Sequence, residues 1–379
     1  MAIGSARTNE TGEWAAWLML LGALAVPVTL LWDFAWESTI GVELFFAPPH
    51  SATDLAVALA CAGALAALVH ATRAAVTGPR AGLQLGPWRA PLGGWLVLWG
   101  VLAFVTSVIF DRWWQLGYGL AAGIWHPPQI LKALAFFALA VGVWVVWLER
   151  QARTSGAIAF AVAGGAVLAL IAVVTLPWAF ANRQHSAFFF QLGCATYPIV
   201  LVALARAGRL RFAATTGALA ALGLQLALVW ILPLVPGEPS VGPIYNPRDC
   251  LLPPPFPLLL VMPALAIDAL FRVFPERGRG AQDPARAFTA GILFAAIFTS
   301  TQWLFSGFLL TPAADGWLFA GGGRHWPFFL RIDPSARTAF WQTPDEAFTL
   351  ARAELAAGLA VMAAWLGLWL GAAMRRVQR

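Results

Sequence analysis

The chain has 379 residues, 60% of them hydrophobic and only 11% charged. A soluble domain carries about a quarter charged residues, so the composition excludes a globular protein with a polar skin. It predicts an integral membrane protein. The net charge of +6 comes almost wholly from arginine, with Lys132 the sole lysine, and reads as a topology signal, not as nucleic-acid binding. Cys61, Cys194 and Cys250 contain no CxxC and form no disulfide framework.

A membrane-spanning helix needs roughly 20 apolar residues. In chain order, segments 13–32, 52–72, 91–110, 129–149, 155–180, 187–205, 213–235, 255–272, 287–310 and 346–374 meet that requirement. The expectation is an all-α polytopic membrane protein of about ten transmembrane helices in a single helical domain. The first run lacks a small-residue cleavage site and reads as a retained helix.

With the N-terminus in the cytoplasm, 16 of the 24 basic residues fall on the cytoplasmic side and 12 of the 18 acids on the other. Both termini are then cytoplasmic, as the positive-inside rule requires. The inner loops are 73–90, 150–154, 206–212 and 273–286. The outer segments are 33–51, 111–128, 181–186, 236–254 and 311–345, and they hold His50, His126, His185 and His325. Residues 311–345 are rich in Trp and Phe and are expected to fold down as part of a cap over the bundle.

One pattern occurs twice. Asp33, Trp36, Glu37 and Gly41 precede Pro48-Pro49-His50; Asp111, Trp114, Gln115 and Gly119 precede His126-Pro127-Pro128-Gln129. The copies join helices 1 to 2 and 3 to 4, in the same membrane orientation, which suggests a parallel repeat. Asp33 and Glu37 are four apart and share a helix face, as do Asp111 and Gln115. Carboxylates with imidazole suit Zn, Fe, Mn or Cu, and the absence of Cys and Met clustering argues against a soft Cu(I) site. The candidate ligands are Asp33, Glu37, His50, Asp111, His126, His185 and His325. Ordinary roles compete with that reading: Trp belongs to the interfacial belt and Pro-Pro starts helices.

The Asp-x-x-Trp-(polar)-Gly-Pro-Pro-(His/Gln) unit resembles one found in multi-pass bacterial membrane proteins, in which the polar residue is often His. This chain has Glu37 and Gln115 there. The resemblance covers only the first four helices and implies no particular activity; the expected location is a bacterial inner membrane.

Other candidates for a substrate site or pathway are Gln115, Lys132, Arg248, Gln302, Arg324 and Glu354. Arg324 and His325 follow three glycines, a loop that can approach a ligand closely. Lys132 and Glu354 lie within spans, where ionisable groups face a partner or a cavity; they pair with each other or snorkel to the interface. Gln302 sits in a polar patch, and Asp268 is expected to pair with Arg272 one turn on. No GxSxG, HExxH, SxxK or CxxCH motif is present.

Three functions fit these features: a membrane metalloprotein, an enzyme or oxidoreductase subunit, with its site at the extracytoplasmic face; a transporter or channel for a small solute or ion; and a structural or assembly subunit of a membrane complex. The partners implied are the lipid bilayer and, for the last, other subunits.

Overall fold

A computed structural model describes residues 3–41, 47–77, 82–119, 125–240, 249–274, 283–320 and 347–377. Its long helices are α1 (Ile3–Thr39), α2 (Pro48–Thr77), α3 (Leu92–Tyr118), α4 (Pro127–Leu148), α5 (Thr154–Val174), α6 (Ala187–Ala207), α7 (Ala213–Ile231), α9 (Asp283–Leu309) and α10 (Leu350–Val377). Among the described residues these nine contain stretches long and apolar enough to cross a membrane. The protein is an all-α multi-pass membrane protein, and its apolar helices suit contact with lipid. On α3, Trp99, Leu102, Ile109, Trp113 and Leu116 form an exposed apolar stripe. The opposite face, with Val97, Gly100, Phe104 and Ser107, is buried. That division is what a lipid-facing helix requires.

The expected span at 255–272 is not a continuous helix. Only α8 (Val261–Val273) is helical there, preceded by extended chain. Pro253, Pro254, Pro255 and Pro257 explain this, because each lacks an N–H and clashes with helical geometry. Thirteen residues rise about 20 Å, against a hydrocarbon core of about 30 Å. The extended stretch is nonetheless buried at Leu251, Leu252, Leu258 and Leu260. Its backbone donors find partners elsewhere: Leu251 N–H bonds Val235 O (2.9 Å), Leu252 N–H bonds Thr39 Oγ1 (2.8 Å), and Leu259 N–H bonds Gln302 Oε1 (3.0 Å). Buried non-helical backbone persists only when its polar groups are satisfied in this way.

The 73–90 loop contains a β-hairpin, Leu83–Leu85 (β1) with Trp88–Ala90 (β2), paired Leu85 to Trp88. Gly86, at φ +59°, and Pro87 form its two-residue turn. Asp268 does not form the expected simple pair with Arg272. Its carboxylate accepts the Ala214 and Thr215 N–H groups and the Thr215 hydroxyl (3.2, 2.8 and 2.7 Å), capping the first turn of α7. The first-turn N–H groups of a helix have no intrahelical acceptor, and a carboxylate satisfies them. Arg272 lies over the Phe212 ring at 3.5 Å and donates to Arg211 O.

The chain divides into two compact units: Met1–Pro27 with Ser51–Leu170, and Val28–His50 with Ile171–Arg379. In the first, α3 and α4 cross where a Cβ on Gly93 would meet Gly142 O at 2.3 Å, so only glycine permits the contact. Trp144 and Trp147 are buried nearby in sequence on α4, against Phe160 and Trp17 respectively. In the second, Phe190, Phe294 and Phe298 form an aromatic core between α6 and α9. Also there, the end of α1 is fixed by Leu31 and Ala35 packing with Leu228, Leu232 and Leu251.

Candidate functional site

The last turns of α1 present Asp33 and Glu37 on one face. Gly41, at φ 131°, follows the helix end. Thr39, by accepting the Leu252 N–H, and Ile40 O, by accepting the Ser240 N–H (3.0 Å), anchor the chain beyond the carboxylates. His50 is the third residue of α2, whose Pro48-Pro49 start suits the first helical turn. Its Nε2 stands 3.1 Å from Asp33 Oδ1. One ligand atom from each of Asp33, Glu37 and His50 lies within 4.8 Å of the others, and among the described residues this is the one such set of three or more His, Cys, Asp or Glu.

The triad is graded in exposure. Asp33 is four-fifths buried, His50 two-thirds, and Glu37 is exposed. Asp33 Oδ1 is fully shielded from solvent, and the approach of His50 does not satisfy it with hydrogen-bond geometry. A buried carboxylate oxygen without a hydrogen bond is costly. A cation can satisfy it. Metal–nitrogen and metal–oxygen bonds of about 2.0–2.2 Å put ligand atoms roughly 3–4 Å apart, so small side-chain adjustments would let the three share one ion. Three protein ligands on a partly exposed face leave coordination positions for water or substrate.

The second copy of the pattern lies in the other unit and has a different chemistry. Asp111 Oδ2 faces three nitrogen donors: Lys132 Nζ at 3.5 Å, Gln115 Nε2 at 3.4 Å and Gln129 Nε2 at 3.4 Å. Gly119, at φ 81°, ends α3 and returns its N–H to Gln115 O. Asp111 Oδ1, like Asp33 Oδ1, is shielded with no hydrogen bond. Lys132 therefore takes its partner from α3, and Glu354 is exposed on α10. His126, expected among the ligands, is the N-cap residue of α4 and stacks on Trp114 with ring centroids 6.3 Å apart. The residue that faces Asp111 is Gln129, whose place directly after Pro-Pro matches that of His50. That spacing was the available signal for it.

His185 stands in a buried seam of the second unit. Gln184, His185 and Ser186 are consecutive and all buried. Gln184 donates to Ala179 O and accepts from Gln302 Nε2, each at 2.6 Å. The His185 ring lies 3.3 Å from Ser306 Oγ and packs edge-on against Trp303 at 4.5 Å. Ser186 caps α6 by accepting the Phe189 N–H. Burial pushes the His185 imidazole down to about 4, with a Trp303 backbone hydrogen bond opposing, so it is neutral at physiological pH. Gln302 is absorbed into this seam and the extended stretch before α8. Arg248, Arg324 and His325 lie outside the described residues, as does most of 311–345. The described part of that segment is tied to α7: Trp317 Nε1 donates to Trp230 O, and Trp230 Nε1 to Leu318 O (2.8 and 3.0 Å).

Comparison with protein-family models, curated proteins and solved structures finds no match to this chain.

Proposed function

We propose that this protein is a metalloprotein of the bacterial inner membrane that binds one divalent cation through Asp33, Glu37 and His50. The observation that carries the reading is the triad itself, with ligand atoms within 4.8 Å and the shielded Asp33 Oδ1 lacking a hydrogen bond. One imidazole and two carboxylates suit Zn, Mn or Fe(II) and give no thiolate or thioether for Cu(I). A cation held by three protein groups with open positions polarises a bound water or carbonyl, which is the chemistry of an enzyme or oxidoreductase subunit.

The arginine distribution supports cytoplasmic termini and an extracytoplasmic triad. Matching helix-end glycines, Pro-Pro helix starts and acid positions support a parallel repeat of α1–α2 and α3–α4. The transport reading has less support, since Lys132 is paired and Gln302 bonds backbone and Gln184.

The test is elemental analysis of protein purified after growth with Zn, Mn, Fe and Cu. About one equivalent of metal is expected in the wild type, and little in Asp33→Asn or His50→Ala. A metal-free wild type, or retention in both variants, sinks the reading.

A further inference from the structure

The β-hairpin between α2 and α3 has two unlike faces. Successive residues of a strand point to opposite sides, and directly paired residues share a side. The pairing of Leu85 with Trp88 and of Leu83 with Ala90 therefore puts Leu83, Leu85, Trp88 and Ala90 on one face. Gln84 and Arg89, paired with each other, occupy the opposite face, where the Arg89 guanidinium donates to Gln84 Oε1 and Gly82 O. Ala90 is buried, but Leu83, Leu85 and Trp88 are exposed by 47%, 42% and 49%. Neighbouring exposed apolar side chains bordered by polar ones mark a surface that meets a membrane or another protein.

The hairpin is tied back onto the ends of both helices. The Thr72 hydroxyl on α2 accepts the Arg89 N–H and donates to Arg89 O (2.9 and 3.2 Å). Trp95 Nε1 on α3 donates to Leu83 O (3.0 Å). Gly82, at φ +90°, closes the base of the hairpin, where a Cβ would meet Ala90 O at 2.6 Å. Thr72 and Trp95 both lie within stretches apolar enough to cross a membrane. Thr72 precedes the end of α2 (Thr77) and Trp95 follows the start of α3 (Leu92) by only a turn or so. At a rise of about 1.5 Å per residue, these ties hold the hairpin level with roughly the last 5–8 Å of the two helices. For helices that span the bilayer, that level is the boundary between headgroups and lipid chains. Amphipathic elements lying in that boundary sink their apolar side by about 5–10 Å.

We propose that this hairpin is an interfacial anchor whose partner is the lipid leaflet itself. Leu83, Leu85 and Trp88 sit among the lipid chains just below the headgroups, and Gln84 and Arg89 face water. Two observations select lipid over a protein partner. The hairpin leads into α3, which exposes Leu92, Trp99 and Leu102 from its first three turns, so the apolar face continues a surface already fitted to lipid. Residues 73–90 also hold Arg73, Arg80 and Arg89 and no acid, a charge that suits phosphate headgroups. Tryptophan is the residue that favours this boundary, with its ring in the chains and its N–H near the headgroups.

The experiment attaches a nitroxide label to Leu85→Cys, Trp88→Cys or Gln84→Cys, one at a time. The full-length protein carries Cys61→Ser and Cys250→Ser; Cys194 is buried. Measurements are made in nanodiscs of phosphatidylethanolamine and phosphatidylglycerol. Collisions with oxygen, which concentrates in lipid, are compared with collisions with a neutral nickel chelate, which stays in water. Leu102→Cys, on the exposed stripe of α3, is the lipid reference. Labels at 85 and 88 are expected to resemble the reference, with an oxygen-to-nickel ratio severalfold above that at 84. Water-like ratios at 84, 85 and 88 alike overturn the inference. Shielding of 85 and 88 from both reagents also overturns it, and assigns the face to a second copy of the chain or another protein. A lipid-like ratio at 84 overturns it as well, because the hairpin then has no face in water. If a labelled variant elutes as aggregate, Leu83→Cys reports on the same apolar face in its place.

Discussion

His50 Nε2 lies 3.1 Å from Asp33 Oδ1, on successive helices, yet that oxygen remains without a hydrogen bond of good geometry. The pair is close enough to ligate together and too poorly aligned to satisfy itself. A ligand that binds the folded state stabilises it by RT ln(1 + [L]/Kd), about 2.7 kcal/mol at a hundredfold excess over Kd. Zn²⁺ or Mn²⁺ should therefore raise the thermal midpoint in detergent, and a chelator should reverse the rise. Asp33→Asn should abolish the response while leaving the metal-free midpoint within a few degrees of wild type.

Lys132 and Asp111 pair within the second copy of the repeated pattern, with side chains 23% and 13% exposed. Removing the cation alone strands a largely buried carboxylate. Lys132→Met should destabilise the protein by roughly 1–2 kcal/mol, a value reduced for partial solvent screening. Adding Asp111→Asn should recover most of the loss, because the charge needing compensation is gone. A double-mutant cycle by thermal unfolding reads the coupling. Additive effects would show that the pair is not coupled.

Gln302 joins two separate parts of its unit, accepting from Leu259 N–H and donating to Gln184. Gln302→Leu leaves both partners buried and unmatched, and each such group costs about 1–3 kcal/mol. A loss on the order of 2–5 kcal/mol is expected, together with faster proteolysis near residue 259. Metal stoichiometry should not change, which separates this structural role from a place in the site.

His185 gives a pH dependence with a definite sign. Burial holds its folded-state value at about 4, below the ordinary imidazole value near 6.5, so the unfolded chain binds the proton more readily. The stability contribution is complete above pH 6.5 and is lost as pH falls from about 6.5 to 4. It amounts to about 3 kcal/mol at most, at 1.36 kcal/mol per pH unit. His185→Gln should flatten that part of the stability profile; an unchanged slope would assign the effect to other groups.

Most helices could be read from the sequence because lipid imposes long, unbroken apolar runs, and α3 or α9 needs no tertiary information to be recognised. The stretch before α8 reads as part of a span because its leucines score as apolar whatever backbone they adopt, although the prolines at its outer end mark an interruption. The hairpin at 83–90 carried a signal in Gly86-Pro87 between alternating residues, overshadowed by the arginines around it. Within the candidate site, the i,i+4 acids and the Pro-Pro helix starts were legible. The choice between His126 and Gln129 was not settled by residue type, since imidazole draws attention that helical register does not support. The partner of Lys132 depended on packing between α3 and α4, which hydropathy cannot convey. Asp268 illustrates the same limit: a nearby arginine in sequence lost to helix-start donors on α7.

The extended chain at 251–260 has a consequence for how the protein is made. Leu252 bonds a threonine 213 positions earlier, and Leu259 bonds a glutamine 43 positions later. A helix can close its hydrogen bonds as it leaves the ribosome, whereas this stretch has to wait. Its Leu251 and Leu252 amides pair with residues already synthesised, but the Leu259 amide acquires its partner only after residue 302 has been synthesised and α9 inserted beside it. During that interval an apolar, proline-rich segment carries an amide without its final partner, which non-helical backbone in a membrane tolerates poorly.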